Sequence, residues 1–381
     1  MKYRKFGNTG FEVSALGFGA MRMPLVKEGA DEKDIDEKKA VEMIRYAADA
    51  GINYFDTAYV YHGGESEIVL GKALKGGYRE KVKIADKIIP DMTESADGLE
   101  KILDEELKKL RVNHLDFFLF HALNTKRWDK MLKTGLIKRA EKMRGKGKIG
   151  HIGFSFHDNF ESFKNIIDGY EGWEFCQIQM NYMDVNNQAE LKGMEYAGKK
   201  GIPVVIMEPL LGGRLANPPK QVGKIFKQNG IYETPAEWSL QWLWNRPEAA
   251  VVLSGMSTME QLKENIRYAG RSAPGAFGEN ENRVIEKASK EFEKRAVIPC
   301  TACNYCVPCP HGVNIPKNFE FYNEGVIYDD FSAPRFIYNR FFPEGERAYN
   351  CESCGECLEK CPQNIKIDEW MKKADEKLRE K

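Results

Sequence analysis

Eight of the nine cysteines fall in two short runs, CTACNYCVPCP (Cys300 to Pro310) and CESCGECLEKCP (Cys351 to Pro362). Thiolates at this density are soft ligands suited to zinc or iron–sulfur clusters. A structural zinc site usually draws on two separated C-x2-C knuckles. Here each run carries three cysteines at x2 spacing and a fourth followed by proline. Cys351, Cys354, Cys357 and Cys361 before Pro362 fit the bacterial ferredoxin pattern C-x2-C-x2-C-x3-C-P. Cys300, Cys303, Cys306 and Cys309 before Pro310 follow it with x2 in place of x3. Three closely spaced thiolates wrap one corner of a cubane, and in two-cluster ferredoxins the fourth serves the other cluster. The spacing therefore predicts two [4Fe–4S] clusters with crossed ligands. One takes Cys300, Cys303, Cys306 and Cys361; the other takes Cys351, Cys354, Cys357 and Cys309. Cys176, alone in an apolar run, reads as a buried structural thiol.

A second group of reactive residues lies near the ends of apolar runs. INYFDTA is followed by a tyrosine, VKIADK ends in lysine, and LDFFLFHA carries a histidine. Asp56, Tyr61, Lys87 and His121 thus come from three consecutive segments. A charge at the end of an apolar strand is costly unless paired. An Asp56–Lys87 rim ion pair accounts for two of these residues but not for Tyr61 and His121 beside them.

The elements that must position these groups alternate. Strand-like runs occur at VSALGFGAM, INYFDTA, VKIADK, LDFFLFHA, HIGFSF, FCQIQMNY, PVVIMEP and AVVLSGM, with helical segments such as DGLEKILDEELKKL and ENIRYA between. Near-continuous apolar strands suit a parallel sheet covered on both faces. Eight β–α units predict an α/β fold, a (β/α)8 TIM barrel with its site at the C-terminal strand ends. GKGKIG (Gly145 to Gly150) precedes a strand and opens no helix, so it is a turn and not a dinucleotide fingerprint. The Gly-rich GRSAPGAFGENEN marks a boundary. We expect the barrel over residues 1–280, a charged connecting helix over 281–299, and a smaller, mostly helical iron–sulfur domain over 300–381. The Phe- and Tyr-rich segment between the cysteine runs is expected to form helices packed by ordinary core aromatics.

At 381 residues the chain exceeds what one core usually holds. Its formal net charge of zero points to neither a nucleic-acid partner nor an anionic membrane surface. The sequence holds no apolar run long enough to span a bilayer, and MKYRKFGNTGFEVS lacks the apolar core of a secretory signal. A cytoplasmic location follows as the expectation, and there clustered thiols mean metal before disulfide.

The stretches GINYFDTAYVYHGGESEIVLGKAL, IADK and FFLFHALN resemble the aldo-keto reductase superfamily, over about residues 3 to 270. The tail is similar to that of a subgroup with a C-terminal ferredoxin-like domain. The resemblance implies that Asp56, Tyr61, Lys87 and His121 form a catalytic tetrad acting on a small-molecule carbonyl or alcohol. Tyr61 then gives a proton to the developing alkoxide. Lys87 lowers its pKa, Asp56 balances Lys87, and His121 orients the carbonyl.

The resemblance also implies NADP(H) or NAD(H) lying across the strand ends. Ser155 and Gln177 match the family's carboxamide-holding residues, while Phe156 stands where the family has Asn. Met207 stands where an aromatic usually stacks on the ring. Gly212 and Gly213 are expected near the phosphates. After the eighth strand the family's Lys and Arg are absent. Gly255, Met256, Ser257, Gln261, Glu264 and Asn265 occupy that stretch, with STME (Ser257 to Glu260) as a capping box whose helix start attracts phosphate. The altered stacking position and the neighbouring clusters leave a flavin such as FMN as an alternative occupant, because flavin exchanges both one and two electrons. Three readings follow: a carbonyl reductase coupled to an iron–sulfur electron-transfer domain, a flavin enzyme exchanging electrons with a partner protein such as a ferredoxin, or a reductase whose clusters are structural. Tyr59, Trp128, Tyr182 and Trp173 are pocket candidates that read more readily as core.

Overall fold

The computed structural model describes residues 1–27 and 30–380. Its contacts divide the chain into two compact units. One comprises Met1–Gly212 with Ala236–Gly278; the other comprises Gly213–Pro235 with Glu279–Lys381.

In the first unit a short antiparallel hairpin, β1 (Tyr3–Lys5) and β2 (Glu12–Ser14), precedes a closed barrel. The eight barrel strands are β3 (Leu16–Gly19), β4 (Tyr54–Asp56), β5 (Lys83–Ile88), β6 (Leu115–Leu123), β7 (Ile149–Phe156), β8 (Phe175–Gln179), β9 (Val204–Met207) and β10 (Ala249–Ser254). All neighbours pair in parallel and β10 closes onto β3. Each expected strand therefore exists, and the barrel is the predicted one. The hairpin was not expected. It occupies the start of the first apolar run, whose barrel strand begins only at Leu16. Its reason is a plug: Phe6 packs on Phe117 at 5.0 Å, Phe175 at 5.5 Å and Tyr54 at 5.9 Å, with Val13 beside them. An open barrel end would otherwise wet this core.

Helices α1 (Glu37–Asp49), α2 (Glu65–Ala73), α3 (Ala96–Leu110), α4 (Thr125–Thr134), α5 (Leu136–Gly145), α6 (Phe160–Asp168) and α7 (Glu190–Lys199) follow the strands. Most start at a side-chain cap: Asp36, Ser95, Asn124 and Asn159 each accept a backbone N–H two or three residues into the first turn. Gly145 ends α5, and Gly147 at φ +74° turns the chain into β7. α8 (Lys220–Asn229) belongs to the second unit. α9 (Pro235–Trp244) lies across the boundary, and α10 (Met259–Ala269) follows β10. Cys176 is fully buried, and burial pushes its thiol far up, as an inert core group requires.

In the second unit α11 (Glu279–Glu293) packs on α8, followed by α12 (Ile315–Tyr328), α13 (Ser332–Arg340), α14 (Glu356–Lys360) and α15 (Ile367–Leu378). The aromatic-rich segment is thus helical. Phe319, Phe321, Tyr338 and Phe342 build its core with Ile315, Ile367 and Met371, and the cysteines pack at its edge. Among the described residues no helix is long and apolar enough to cross a membrane.

Candidate active site and cysteine cavities

Asp56 is the last residue of β4, and Lys87 lies near the end of β5. Both are buried, at 3% and 1% exposure. Lys87 Nζ donates to Asp56 Oδ1 at 2.6 Å and to the Thr57 carbonyl at 2.5 Å. A buried ammonium survives only with such partners. Burial pulls Lys87 down, but Asp56 and Tyr61 outweigh it and the net direction is up. Lys87 stays charged.

Tyr61 sits on the turn after β4. His62, Gly63 and Gly64 there take φ of +51°, +60° and +96°, and a Cβ on Gly63 would strike the Lys33 side chain. This tight reversal brings the Tyr61 ring back over the mouth, 4.8 Å from Lys87 Nζ. Burial raises the Tyr61 hydroxyl above its ordinary range, and Lys87 offsets only part of that. Lys87 lowers the Tyr61 value as expected, but desolvation is the larger effect, so the net direction is up and Tyr61 holds its proton at neutral pH.

His121 meets Tyr61 edge-on, ring centres 5.8 Å apart. Its aim comes from a break in β6. The register with β7 shifts between Phe120 and Leu123, and Ala122 takes φ +54°. That strained peptide is fully partnered: its N–H donates to Ser155 Oγ at 2.7 Å, and its carbonyl accepts from Arg127 at 2.7 Å. Burial and then the nearby cations hold His121 well below the ordinary histidine value, so its ring is neutral.

Among the described residues, the buried His121 Nδ1, Gln177 Oε1 and Asp56 Oδ2 at the mouth lack a hydrogen-bond partner. Ser155 lies opposite Gln177 across β7 and β8. Gln177 Nε2 is 3.9 Å from the Met207 sulfur. Ser155, Gln177 and Met207 are thus neighbours on the strand ends. A carboxamide and a carbonyl are the kind of groups such orphaned atoms accept, so a nicotinamide and its substrate fit.

The residues after β10 divide. Met256 is buried at 1%, and Asn265 is buried and donates to Ser254 Oγ at 3.0 Å, so both serve the fold. Glu264 is exposed. The capping box lies one residue later than expected: Thr258, not Ser257, caps α10, accepting from Gln261 N at 3.2 Å. Gln261 Oε1 in turn accepts from Ser257 N at 2.9 Å. Ser257 Oγ donates to the Arg22 carbonyl at 2.9 Å.

Arg22 is the residue that sequence reasoning missed. It follows β3, and its side chain lies along Gly255 and reaches Gly212: ideal Cβ positions there would sit 3.1 Å and 3.3 Å from it. Its nearest carboxylate, Glu208, is 3.9 Å away and half-exposed. The Arg22 guanidinium thus lies beside Gly212, with its stem along Gly255 in the stretch where the expected Lys and Arg are missing. The usable signal was a lone cation in the loop after the first strand, GFGAMRM. Gly213 lies across the unit boundary with φ +98°.

Trp173 and Trp128 pack together outside the strands with Phe154, and Trp173 Nε1 donates to the Ile166 carbonyl. Tyr59 donates to Glu105 on α3. Tyr182 is buried.

The cysteines surround two cavities in the second unit. One, about 330 Å³, is lined by Cys300, Cys303, Cys306 and Cys361. The other, about 420 Å³, is lined by Cys309, Cys351, Cys354 and Cys357, with Cys306 also at its wall. Ile315 borders both. Left-handed residues alternate with the ligand positions: Ala302 and Asn304 in the first run, Ser353 and Gly355 in the second. They curl each loop so that successive thiols face one space. Asn323 anchors the first loop, accepting from Ile298 N and donating to its carbonyl at 2.8 Å. Four thiolates on a single zinc, at about 2.3 Å each, would lie roughly 3.8 Å apart. Among the described residues no three cysteine sulfurs lie within 4.8 Å of one another. The described thiols are thus not gathered as a single-ion site requires.

A parallel barrel with this mouth, carrying a thiolate-rich helical unit, falls in the class of barrel oxidoreductases with an iron–sulfur domain. The chain belongs to the aldo/keto reductase family, whose model matches residues 15–272; a 4Fe-4S dicluster domain model matches 299–365. Similar proteins include L-galactose dehydrogenase of Arabidopsis thaliana, 30% identical over 70% of this chain and 87% of that protein. A probable aldo-keto reductase 1 of Glycine max is 28% identical over 69% and 82%. Among solved structures, the holo form of aldo-keto reductase AKR11C1 from Bacillus halodurans superposes with a TM-score of 0.62 at 24% identity, covering 76% of this chain and 96% of that one. An aldo-keto reductase from Klebsiella pneumoniae, in complex with NADPH, gives 0.60 at 20%, covering 75% and 95%. These two likenesses establish the fold.

Proposed function

We propose that the protein reduces a small-molecule carbonyl, or oxidises the matching alcohol, with NADPH before NADH, in the cytoplasm. The observation that carries this reading is the buried Lys87–Asp56 pair beneath the Tyr61 ring, with the unpartnered His121 Nδ1 beside it. A reduced nicotinamide bound at the mouth supplies the hydride. Ser155 and Gln177 hold its carboxamide, and Met207 packs on the ring. Gly212, Gly255 and the start of α10 approach its phosphates, with Arg22 as their cation. Neutral His121 binds the carbonyl oxygen and fixes its angle. Tyr61 donates the proton to that oxygen as negative charge develops. Lys87, held by Asp56, stabilises the phenolate left behind.

Tyr61→Phe tests this directly. Nucleotide affinity should hold while carbonyl reduction falls by about 10² to 10⁴; retained turnover would refute the role.

In the second unit we assign two [4Fe–4S] clusters, one on Cys300, Cys303, Cys306 and Cys361, the other on Cys351, Cys354, Cys357 and Cys309. The two cavities and their linings support the crossed assignment. Such clusters supply one-electron steps. Iron and sulfide near eight each per chain test it. A second reading, a flavin such as FMN at the mouth exchanging electrons with a partner protein, is favoured by methionine at the stacking position. A purified protein without a flavin spectrum excludes it.

A further inference from the structure

Strand alternation sends Asp86 to the face of β5 opposite Lys87. There it meets Glu67 of α2 and Glu106 of α3, and all three are 0% exposed. One oxygen from each lies within 4.8 Å of the other two. Two hydrogen bonds reach the group: Lys109 Nζ donates to Glu67 Oε2 at 2.8 Å, and the Lys87 backbone N–H donates to Asp86 Oδ1 at 2.8 Å. Asp86 Oδ2, Glu67 Oε1 and both oxygens of Glu106 have no donor among the described residues. Glu106 is thus a fully buried carboxyl aimed at two others, with no donor to it among the described residues.

Three ionised carboxylates against one ammonium leave two uncompensated negative charges away from water, which desolvation strongly disfavours. Two protons or one divalent cation would cancel them. Hard cations take six or more oxygen ligands. Water would have to supply the ligands that three carboxyls do not, yet all three are sealed from solvent and the Lys109 ammonium already sits on one of them. Protons need only neighbouring carboxyls.

We propose that Glu67, Asp86 and Glu106 share protons at neutral pH, and that the charge of this cluster acts on Lys87 and Tyr61 from behind the strand. The three are positioning residues, since none touches the reacting atoms. Burial is the first cause that lifts all three carboxyls; repulsion from Glu67 adds to it at Asp86, and repulsion from Asp86 and Glu67 adds to it at Glu106, while Lys109 and a side-chain hydrogen bond with Asp86 pull Glu67 part of the way back. Glu67 faces Lys109, Asp86 and Glu105. Asp86 faces Glu67, Lys87 and Asp56. Glu106 faces Asp86, Glu67, Lys109 and Lys87. Tyr59 covers Lys109 at 3.7 Å from its ring centre. A negative Asp86 raises both Tyr61 and Lys87. A proton held on the cluster therefore spares Tyr61 that repulsion and leaves its phenolate easier to form.

The test uses Glu106→Gln and Asp86→Asn in the full-length holoprotein; the amides keep size and hydrogen-bonding capacity, and either variant serves if the other fails to fold. Infrared spectra at neutral pH should show a buried carboxylic-acid C=O band that Glu106→Gln weakens. Groups whose folded pKa is raised stabilise below the unfolded carboxylate value, near ~4, and that stability is lost as pH rises through the folded value. Glu106→Gln should flatten this decline in thermal unfolding. Resting on the proposed role of Tyr61, the alkaline limb of kcat/KM should move down by about one pH unit in Asp86→Asn. An absent acid band, an unchanged stability slope, or one non-iron divalent cation per chain would overturn the cluster. The infrared and unfolding readouts stand even if the protein reduces no carbonyl. A band and slope as expected with an unmoved kinetic limb would overturn only the link to Tyr61.

Discussion

The two functional regions are built in opposite ways. At the barrel mouth each reactive side chain hangs from the end of a buried parallel strand or the turn beside it, and Asp56 and Lys87 are sealed from water. Apolar burial that exists without any ligand holds the geometry. Around the cysteine cavities the chain is irregular from Cys300 to Gly312 and from Cys351 to Gly355, turns at left-handed residues, and leaves Cys303 and Cys354 exposed. A helical core backs these loops. One site is made by the fold; the other is completed by what it binds, and its ligand free energy is then part of its folding free energy.

The largest effect that could break this contrast is removal of iron. Stripping it with a chelator under reducing conditions should collapse the loops of the second unit while the barrel keeps its native signal. Limited proteolysis with mass mapping checks it, and cuts spread evenly over both units would erase the distinction.

Lys87→Met comes next. It leaves Asp56 buried without its partner, at a cost of about 3–5 kcal/mol before Asp56 takes up a proton. It also removes the charge that supports the Tyr61 phenolate. Thermal melts and kcat/KM should both fall, whereas a change confined to kcat/KM would show that the mouth tolerates an unpaired acid.

Arg22→Ala sharpens the picture of the mouth itself. Losing one charge-assisted contact should weaken dinucleotide binding roughly tenfold or more, about 1.5–3 kcal/mol, with the melting temperature little changed. Fluorescence titration with NADPH and NADH reads it. A loss larger for NADPH assigns Arg22 to the 2′-phosphate, an equal loss to the shared pyrophosphate, and no loss removes it from the site.

Acidification gives a smaller effect. His121 is held below its unfolded value, near ~6.5, so its neutral form stabilises the fold above that pH and the contribution is lost as pH falls through the depressed folded value. His121→Gln should reduce the acid sensitivity of unfolding below about pH 6.5; His157, also lowered first by burial, carries the remainder.

The smallest is local. Thr258→Ala should cost about 1 kcal/mol and Ser257→Ala less, because Thr258 makes the helix cap. Equal costs would restore the one-residue-earlier box.

Much of this was legible in the sequence because it is local. A strand is a short apolar run, so its last polar residue is visible on the page, and Asp56, Lys87 and His121 were found that way. Cysteine spacing is likewise local, and it foretold which thiols could share a space. The plug hairpin was hidden because VSALGFGAM is one continuous apolar run that the structure divides between β2 and β3. Thr258 and Ser257 are both good caps, and backbone geometry alone chose between them.

By itself the sequence determined the eight-strand alternation, the polar strand ends and the two thiolate runs, since strand period, burial and ligand spacing act over a few residues. Only the tertiary structure decided that Arg22 lies along Gly255 and that Glu67, Asp86 and Glu106 meet. These residues lie far apart in the chain. Barrel closure and helix packing bring them together, and no local rule records that distance.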